Sequence, residues 1–264
     1  MSERSPVALT RDGPIARVML DRPEIHNAFD EALIGALART FQELALDEAA
    51  RVVLLTGAGK SFSAGADLNW MKRASAYDEE RNRADARALE AMLRAIDDCP
   101  KPVVALVQGA AIGGGVGLVA ACDVAIAAEA AVFATSEVRL GIVPAVISPF
   151  VVRAIGPRQA RRYFVTAERF GAEEARRIGL VHEVVPAERL EARAGEIAAE
   201  ILKGGPEAIA SAKQLVRLCQ TMPQGGSILA EATVAAIAER RASAEGKEGI
   251  GAFLEKRKPA WIGS

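Results

Sequence analysis

Apolar and polar positions divide the chain into two textures. Up to about residue 144, short apolar runs alternate with longer stretches of helical period. Residues 15–20, IARVML, predict a strand that Asp21-Arg22-Pro23 stops. Asp30 is placed to cap a helix whose apolar positions Leu33, Ile34, Leu37, Phe41 and Leu44 keep the helical spacing. Val52-Val53-Leu54-Leu55-Thr56 predicts a second buried strand, ended by Gly57-Ala58-Gly59. SFSAGADLNWMK then reads as a loop holding Gly65 and Asp67. Residues 77–98 are charged on one face and carry Leu89, Met92, Leu93 and Ile96 on the other, an amphipathic helix broken by Cys99-Pro100-Lys101-Pro102. Residues 103–107, VVALV, predict a buried central strand. It leads into a run of glycines at 113, 114, 115 and 117, and behind them Leu118 to Cys122 reads as a tightly packed helix, too short to span a membrane.

After Pro144 the pattern turns helical. Residues 148–155, 158–166 and 172–178 predict short helices, followed by a strand at 181–185. Longer helical patterns run through 187–202, 207–218 and 228–241, and a last one covers 247–256. Strands alternating with helices in ββα-like units predict an α/β fold with a mostly parallel sheet buried on both faces. The expected organisation is a core over residues 1–200 and a helical region over 201–264 that packs on a neighbouring subunit or on a ligand.

Composition narrows the function. Lys and Arg number 33 against 34 for Asp and Glu, which gives no basic footprint for nucleic acid and no polybasic membrane signal. No apolar core follows Met1-Ser2-Glu3-Arg4, so no secretory leader is expected and the cytoplasm is the simplest location. Cys99, Cys122 and Cys219 have no metal-ligand spacing and read as reduced thiols, and His26 and His182 are isolated. No metal is expected.

The candidate chemistry lies between Gly109 and Pro144. A strand, a glycine loop and a helix present backbone N–H groups and a positive dipole end to a ligand oxygen, and glycine permits close approach. Glu137, in SEVRLG, adds one carboxylate between apolar runs. Two nucleotide motifs nearly match. Gly57-Ala-Gly59-Lys60-Ser61 ends like a phosphate loop but has Leu54 where the first glycine belongs. Gly115-Val-Gly117-Leu-Val-Ala120 fits a dinucleotide fingerprint, but a short β run at 131–134 precedes Glu137, where that fold would want its acid at the end of the next strand. Ser63 lacks a nucleophile elbow.

SFSAGADL, GAAIGGGVGLVAACDVAIA and SEVRLGIVP, in that order, resemble the crotonase (enoyl-CoA hydratase/isomerase) superfamily, from DRPEIHNAF at the front to EGKEGIGAFLEKRKPAW at the back. The resemblance implies a spiral of ββα units, C-terminal helical trimerisation, often a dimer of trimers, and an acyl-CoA thioester as substrate, with no separate cofactor. It implies that the backbone N–H groups of Ala66 and Gly114 form an oxyanion hole. It puts the coenzyme A near His26-Asn27-Ala28 and the loop Ala64-Gly65-Ala66-Asp67-Leu68, with Gly113 lining the site and Phe253 and Lys256 reaching in from the tail. Two-glutamate hydratases of this family carry one acid in the glycine helix and one in the later segment. Here those positions are Gly117 and Glu137.

GADLNWM, GGGVGLV and SEVRLGIVPAVISPFVVRAIG, with the EKRKPAW tail, are most similar to a bacterial branch of methylglutaconyl-CoA or γ-carboxygeranoyl-CoA hydratases, which belong to leucine and acyclic-terpene breakdown. The resemblance implies that members of this branch also have glycine at the Gly117 position, so hydration stays open. Arg139, Arg153, Lys72 and Arg73 are either partners for an extra substrate carboxylate or ordinary surface cations. Three functions remain open: a hydratase, a Δ3,Δ2-enoyl-CoA isomerase working with Glu137 alone, and a CoA-binding subunit without turnover.

Overall fold

The computed structural model describes residues 5–222 and 226–263, so the Met1-Ser2-Glu3-Arg4 start lies outside the described residues. Strand β1 (Val7–Asp12) pairs antiparallel with β2 (Ile15–Leu20), Val7 facing Leu20. Helix α1 (Glu31–Leu46) follows, its N-terminus closed by the Asp30 carboxylate, which accepts from Leu33 N–H at 2.9 Å. A cap of this kind is worth about 1 kcal/mol. Next come β3 (Val52–Gly57), α2 (Leu68–Ala74), α3 (Glu79–Asp98), β4 (Val103–Val107), β5 (Ala110–Ile112), α4 (Gly114–Ala121), β6 (Val124–Ala128) and β7 (Val132–Ala134). The remainder comprises α5 (Ser148–Thr166), β8 (Phe170–Gly171), α6 (Ala172–Ile178), β9 (Glu183–Val185), α7 (Leu190–Leu202), α8 (Pro206–Thr221), α9 (Ser227–Ala242) and α10 (Ala244–Leu254).

Two sheets result. The larger has the order β1-β2-β3-β4-β6-β9 and is parallel from β2 onward. Its period-two alternation sorts side chains to two sides. Val53, Leu55, Val103, Ala105 and Val107 join the main core with α1, α3 and α4. Val52, Leu54, Val104, Leu106 and Ile126 meet Leu190, Ala194 and Ala198 of α7 on the other face. Burial on both faces explains why these strands read as unbroken apolar runs. The smaller sheet, β5-β7-β8, carries the glycine turn at one end of β5 and Glu137 just beyond β7.

The sequence reading needs several corrections. The AGADL segment is a loop only to Asp67, whose carboxylate accepts from Asn69 and Trp70 N–H at 2.9 Å each and starts α2. The glycine helix begins at Gly114, before the apolar run at Leu118. Its glycines are helical because close packing, not propensity, decides the conformation of this buried segment. The strand expected over 181–185 shrinks to Glu183–Val185, since Leu180 and Val181 N–H both turn back to Ala175 carbonyl. The helices expected at 148–155 and 158–166 meet at a kink at Gly156 (φ 72°), followed by Pro157.

The C-terminal helices are tied to the core by charge. Lys213 Nζ lies 2.7 Å from Asp123, whose carboxylate also accepts from Val103 N–H at 2.8 Å. Arg217 pairs with Asp97 at 3.1 Å and with Asp98. No residue of α8 or α9 is fully buried, and Val216, Ile228, Val234 and Ile237 are exposed. No helix is long and apolar enough to cross a membrane among the described residues.

Candidate active site

Three chain segments meet at the glycine turn. Ser63 forms a parallel bridge with Ala111, its N–H donating to Ala110 carbonyl at 3.0 Å and its carbonyl accepting from Ile112 N–H at 2.9 Å. The two strands run the same way, so Ala66 and Gly114 each stand three residues beyond this bridge. The approach is close: a Cβ on Gly65 (φ +86°) would lie 2.8 Å from Ile112 carbonyl oxygen. A side chain at this position would separate the two loops. The third segment, at Phe29, makes a parallel bridge with Ala66. Phe29 N–H donates to Gly65 carbonyl at 2.6 Å, and Phe29 carbonyl accepts from Asp67 N–H at 2.8 Å.

These bonds leave two donors free. Neither Ala66 N–H nor Gly114 N–H donates to a protein acceptor among the described residues. Gly113 N–H, by contrast, is used, donating to Ala134 carbonyl at 2.8 Å, so Gly113 shapes the turn and is not a third donor. Gly113 has φ +52°, a conformation that glycine adopts without penalty and that aims the following peptide into the helix start.

Glu137 opens a turn of 3-10 helix over Glu137–Leu140, closed by Gly141 at φ 75°. Its Oε1 lies 3.2 Å from the point a Cβ on Gly113 would occupy. The carboxylate therefore stands directly against the turn that carries the free donor. Its Oε2 is buried and makes no hydrogen bond among the described residues. Burial pushes the Glu137 carboxyl above the usual carboxylate range. A desolvated acid beside two unpaired N–H groups can exchange a proton with a substrate whose oxygen the donors hold.

Gly117 is a different case. A Cβ there would stand 3.0 Å from Ile147 Cβ, inside contact distance of Ile147 Cγ2, and 3.6 Å from Leu93 Cδ1. Ile147 is 2% exposed. The space a side chain would enter from this helical position is filled by an aliphatic group from the segment before α5.

The remaining candidates sort by position. His26 Nδ1 is 3.1 Å from Ser61 Oγ, and Ala64 N–H donates to His26 carbonyl at 2.9 Å. Asn27 is fully buried, its amide donating to Ala58 and Ser61 carbonyls at 2.9 Å each, so its side chain fastens the loop and faces inward. Ala28 is buried behind it, while Leu68 is exposed at the start of α2. Phe253, 81% exposed, and Lys256 (φ +57°) lie at the end of α10, which packs on α8 and α9. Arg73 pairs with Glu31 at 2.7 Å and Arg153 with Asp97, whereas Arg139 and Lys72 are exposed and form no ion pair among the described residues. His182 Nδ1 accepts from Ala125 N–H at 3.1 Å, a structural bond. Two residues that shape the site, Phe29 and Ile147, were not singled out from sequence. The first reads as one more apolar residue before a cap, and the second meets Gly117 only through tertiary contact.

Known proteins resemble this chain over nearly its whole length. The family model for enoyl-CoA hydratase/isomerase matches residues 10–264. A carnitinyl-CoA dehydratase from Salmonella typhi is 38% identical over 261 residues, covering 97% of each chain. An enoyl-CoA hydratase structure from Shewanella pealeana superimposes with a TM-score of 0.93 at 42% identity, covering 97% of this chain and 96% of that one. Pseudomonas aeruginosa AtuE superimposes with a TM-score of 0.93 at 40% identity, covering 97% and 99% of the two chains.

Proposed function

The chain belongs to the enoyl-CoA hydratase/isomerase family, and on that premise we propose that it adds water across the 2,3-double bond of an enoyl-CoA thioester. The observation that carries this reading is Glu137 held against Gly113, next to the unpaired N–H groups of Ala66 and Gly114. As a water oxygen bonds to C3, electrons move through the double bond onto the thioester oxygen. The two N–H groups hold that charge, each worth about 3 kcal/mol in rate. Glu137 takes the proton that the water loses and delivers a proton to C2, so one carboxylate completes the addition. Its raised pKa suits a group that must both accept and release a proton. The Salmonella relative is named for a dehydration, which is this step in reverse and supports the hydratase reading.

The substrate we propose is a branched, carboxylated enoyl thioester of the methylglutaconyl-CoA kind, for whose carboxylate the unpaired Arg139 or Lys72 is available. The exposed apolar positions of α9 support a contact between subunits, in a homotrimer or a dimer of trimers, with coenzyme A entering as part of the substrate. A second reading, Δ3,Δ2-enoyl-CoA isomerisation, is favoured by Ile147 filling the space beside Gly117, because moving one proton between C4 and C2 needs a single carboxylate.

Incubating the protein with 3-methylglutaconyl-CoA, crotonyl-CoA and a 3-enoyl-CoA, and following product mass, separates these readings. Gain of one water on a conjugated substrate is the expected result. Conversion of the 3-enoyl-CoA without change of mass, with no water added elsewhere, would replace the hydratase by the isomerase. CoA-dependent thermal stabilisation without turnover would leave a binding subunit.

A further inference from the structure

Phe29 touches both proposed oxyanion donors, and it does so through different parts of the same residue. Its backbone grips the Ala66 peptide from two sides, through the bonds to Gly65 carbonyl at 2.6 Å and from Asp67 N–H at 2.8 Å. In a parallel bridge of this kind the intervening residue's N–H points away from its neighbour, so the grip turns Ala66 N–H outward. The ring does the second task. A Cβ on Gly114 would lie 2.7 Å from Phe29 Cε2 and 2.9 Å from Cδ2, so the ring edge is seated on the first residue of α4. The residue itself is buried, and the residue two before it is tied down. Phe29 is 2% exposed, and just before it Asn27 is fixed by two amide bonds at 2.9 Å and by Ser63 Oγ donating to Asn27 carbonyl at 2.9 Å.

We propose that Phe29 is a positioning residue that sets the separation of the Ala66 and Gly114 N–H groups. The assignment rests on the oxyanion-hole reading of these two donors. A backbone donor pair has no side chains with which to adjust its own spacing. Something rigid must fix the distance between two loops from different parts of the chain, and an aromatic ring with few rotamers is suited to that. Phe29 itself never meets the reacting atoms. Its effect is confined to how well the two donors converge on one oxygen, which matters when that oxygen is charged and little when it is a neutral carbonyl.

The test compares two ligands on the same protein. Acetoacetyl-CoA is a β-keto thioester that loses its C2 proton in mildly alkaline buffer and so presents an enolate oxygen there, whereas butyryl-CoA presents a neutral thioester of similar size at the same pH. Phe29→Leu is expected to weaken acetoacetyl-CoA binding by about tenfold or more while changing butyryl-CoA by less than about twofold. It should also lower kcat on the enoyl substrate with KM nearly unchanged. If the leucine variant does not fold, Phe29→Met, close in volume and flexible, is measured in the same way. A purely structural role would weaken both ligands alike, and that result, or no change in either, overturns the assignment. A wild-type protein that binds neither thioester overturns the proposed function as well. A wild type that prefers acetoacetyl-CoA, with a variant that keeps the preference, overturns only the role of Phe29.

Discussion

Gly114 and Gly117 stand about one turn apart on the same buried helix, and neither tolerates a Cβ, but for opposite reasons. At Gly114 the obstacle is the Phe29 ring, and the peptide N–H of the same residue has no protein acceptor among the described residues. At Gly117 the obstacle is Ile147, and the space belongs to the apolar core. The first glycine carries a backbone donor that the described residues leave unused, whereas the second sits where a neighbouring side chain fills the position. A glycine where the two-glutamate pattern would place an acid is therefore not a simple deletion here. Its surroundings have closed over it.

The largest effect that tests this contrast belongs to Glu137, the acid held against the open side. Glu137→Gln keeps the shape and removes the base, and it should lower kcat by about 10²–10⁴-fold in a steady-state assay. Turnover at the wild-type rate would mean that the proton is handled elsewhere, and the open end of the helix would lose its assigned chemistry. Gly114→Ala comes next. The added methyl meets the Phe29 ring and displaces the donor, so kcat should fall by about 10²–10³-fold with a smaller change in KM. A loss that appears only in KM would make Gly114 a binding position and dissolve its contrast with Gly117.

The closed side is tested by stability. Gly117→Glu forces a carboxylate against Ile147 and Leu93, and the overpacking alone costs about 1–3 kcal/mol, before the burial of charge. If lost space is the cause, Ile147→Ala should partly rescue Gly117→Glu. A double-mutant cycle by denaturant titration should then show a favourable coupling of about 0.5–3 kcal/mol. Strict additivity would show that Ile147 is not what fills the position.

Much of the open side was legible in the sequence. A glycine run between a β-branched strand and an apolar helix can be read as a donor-rich turn, and the family resemblance that the ordered motifs carry implies Ala66, Gly114 and Glu137 as one group. The strands were legible for the same reason they are stable: Val52–Gly57 and Val103–Val107 are buried on both faces and so are apolar throughout. The closed side was not legible. Gly117 and Ile147 are separated by thirty positions, and nothing in either local pattern says that one fills the space of the other. Phe29 was missed because its ring and its backbone act on two different segments. Helix α2 was missed because a seven-residue helix depends on its Asp67 cap more than on any periodicity.

The smallest effect is also the one that separates burial of Glu137 from its chemistry. Burial raises the Glu137 carboxyl pKa in the folded chain, and Oε2 has no hydrogen-bond partner among the described residues. Below the unfolded value, near pH ~4.3, both folded and unfolded chains hold the proton, and the site costs nothing extra. As pH rises from there through the raised folded value, the folded chain holds more protons than the unfolded one, so stability falls across that window. Above it the charged form is partly buried, and its desolvation cost is largest there. Glu137→Gln should therefore melt higher than the wild type at pH ~8, by about 2–4 °C, and the difference should vanish near pH ~4. The same raised value should put the acid limb of kcat/KM above the ordinary carboxylate range, with activity lost as Glu137 gains its proton. A glutamine variant that melts no higher than the wild type at either pH would mean that the carboxylate is solvated in the resting protein. The open end of the helix would then be an ordinary surface turn, and the contrast with the packed Gly117 would be one of exposure alone.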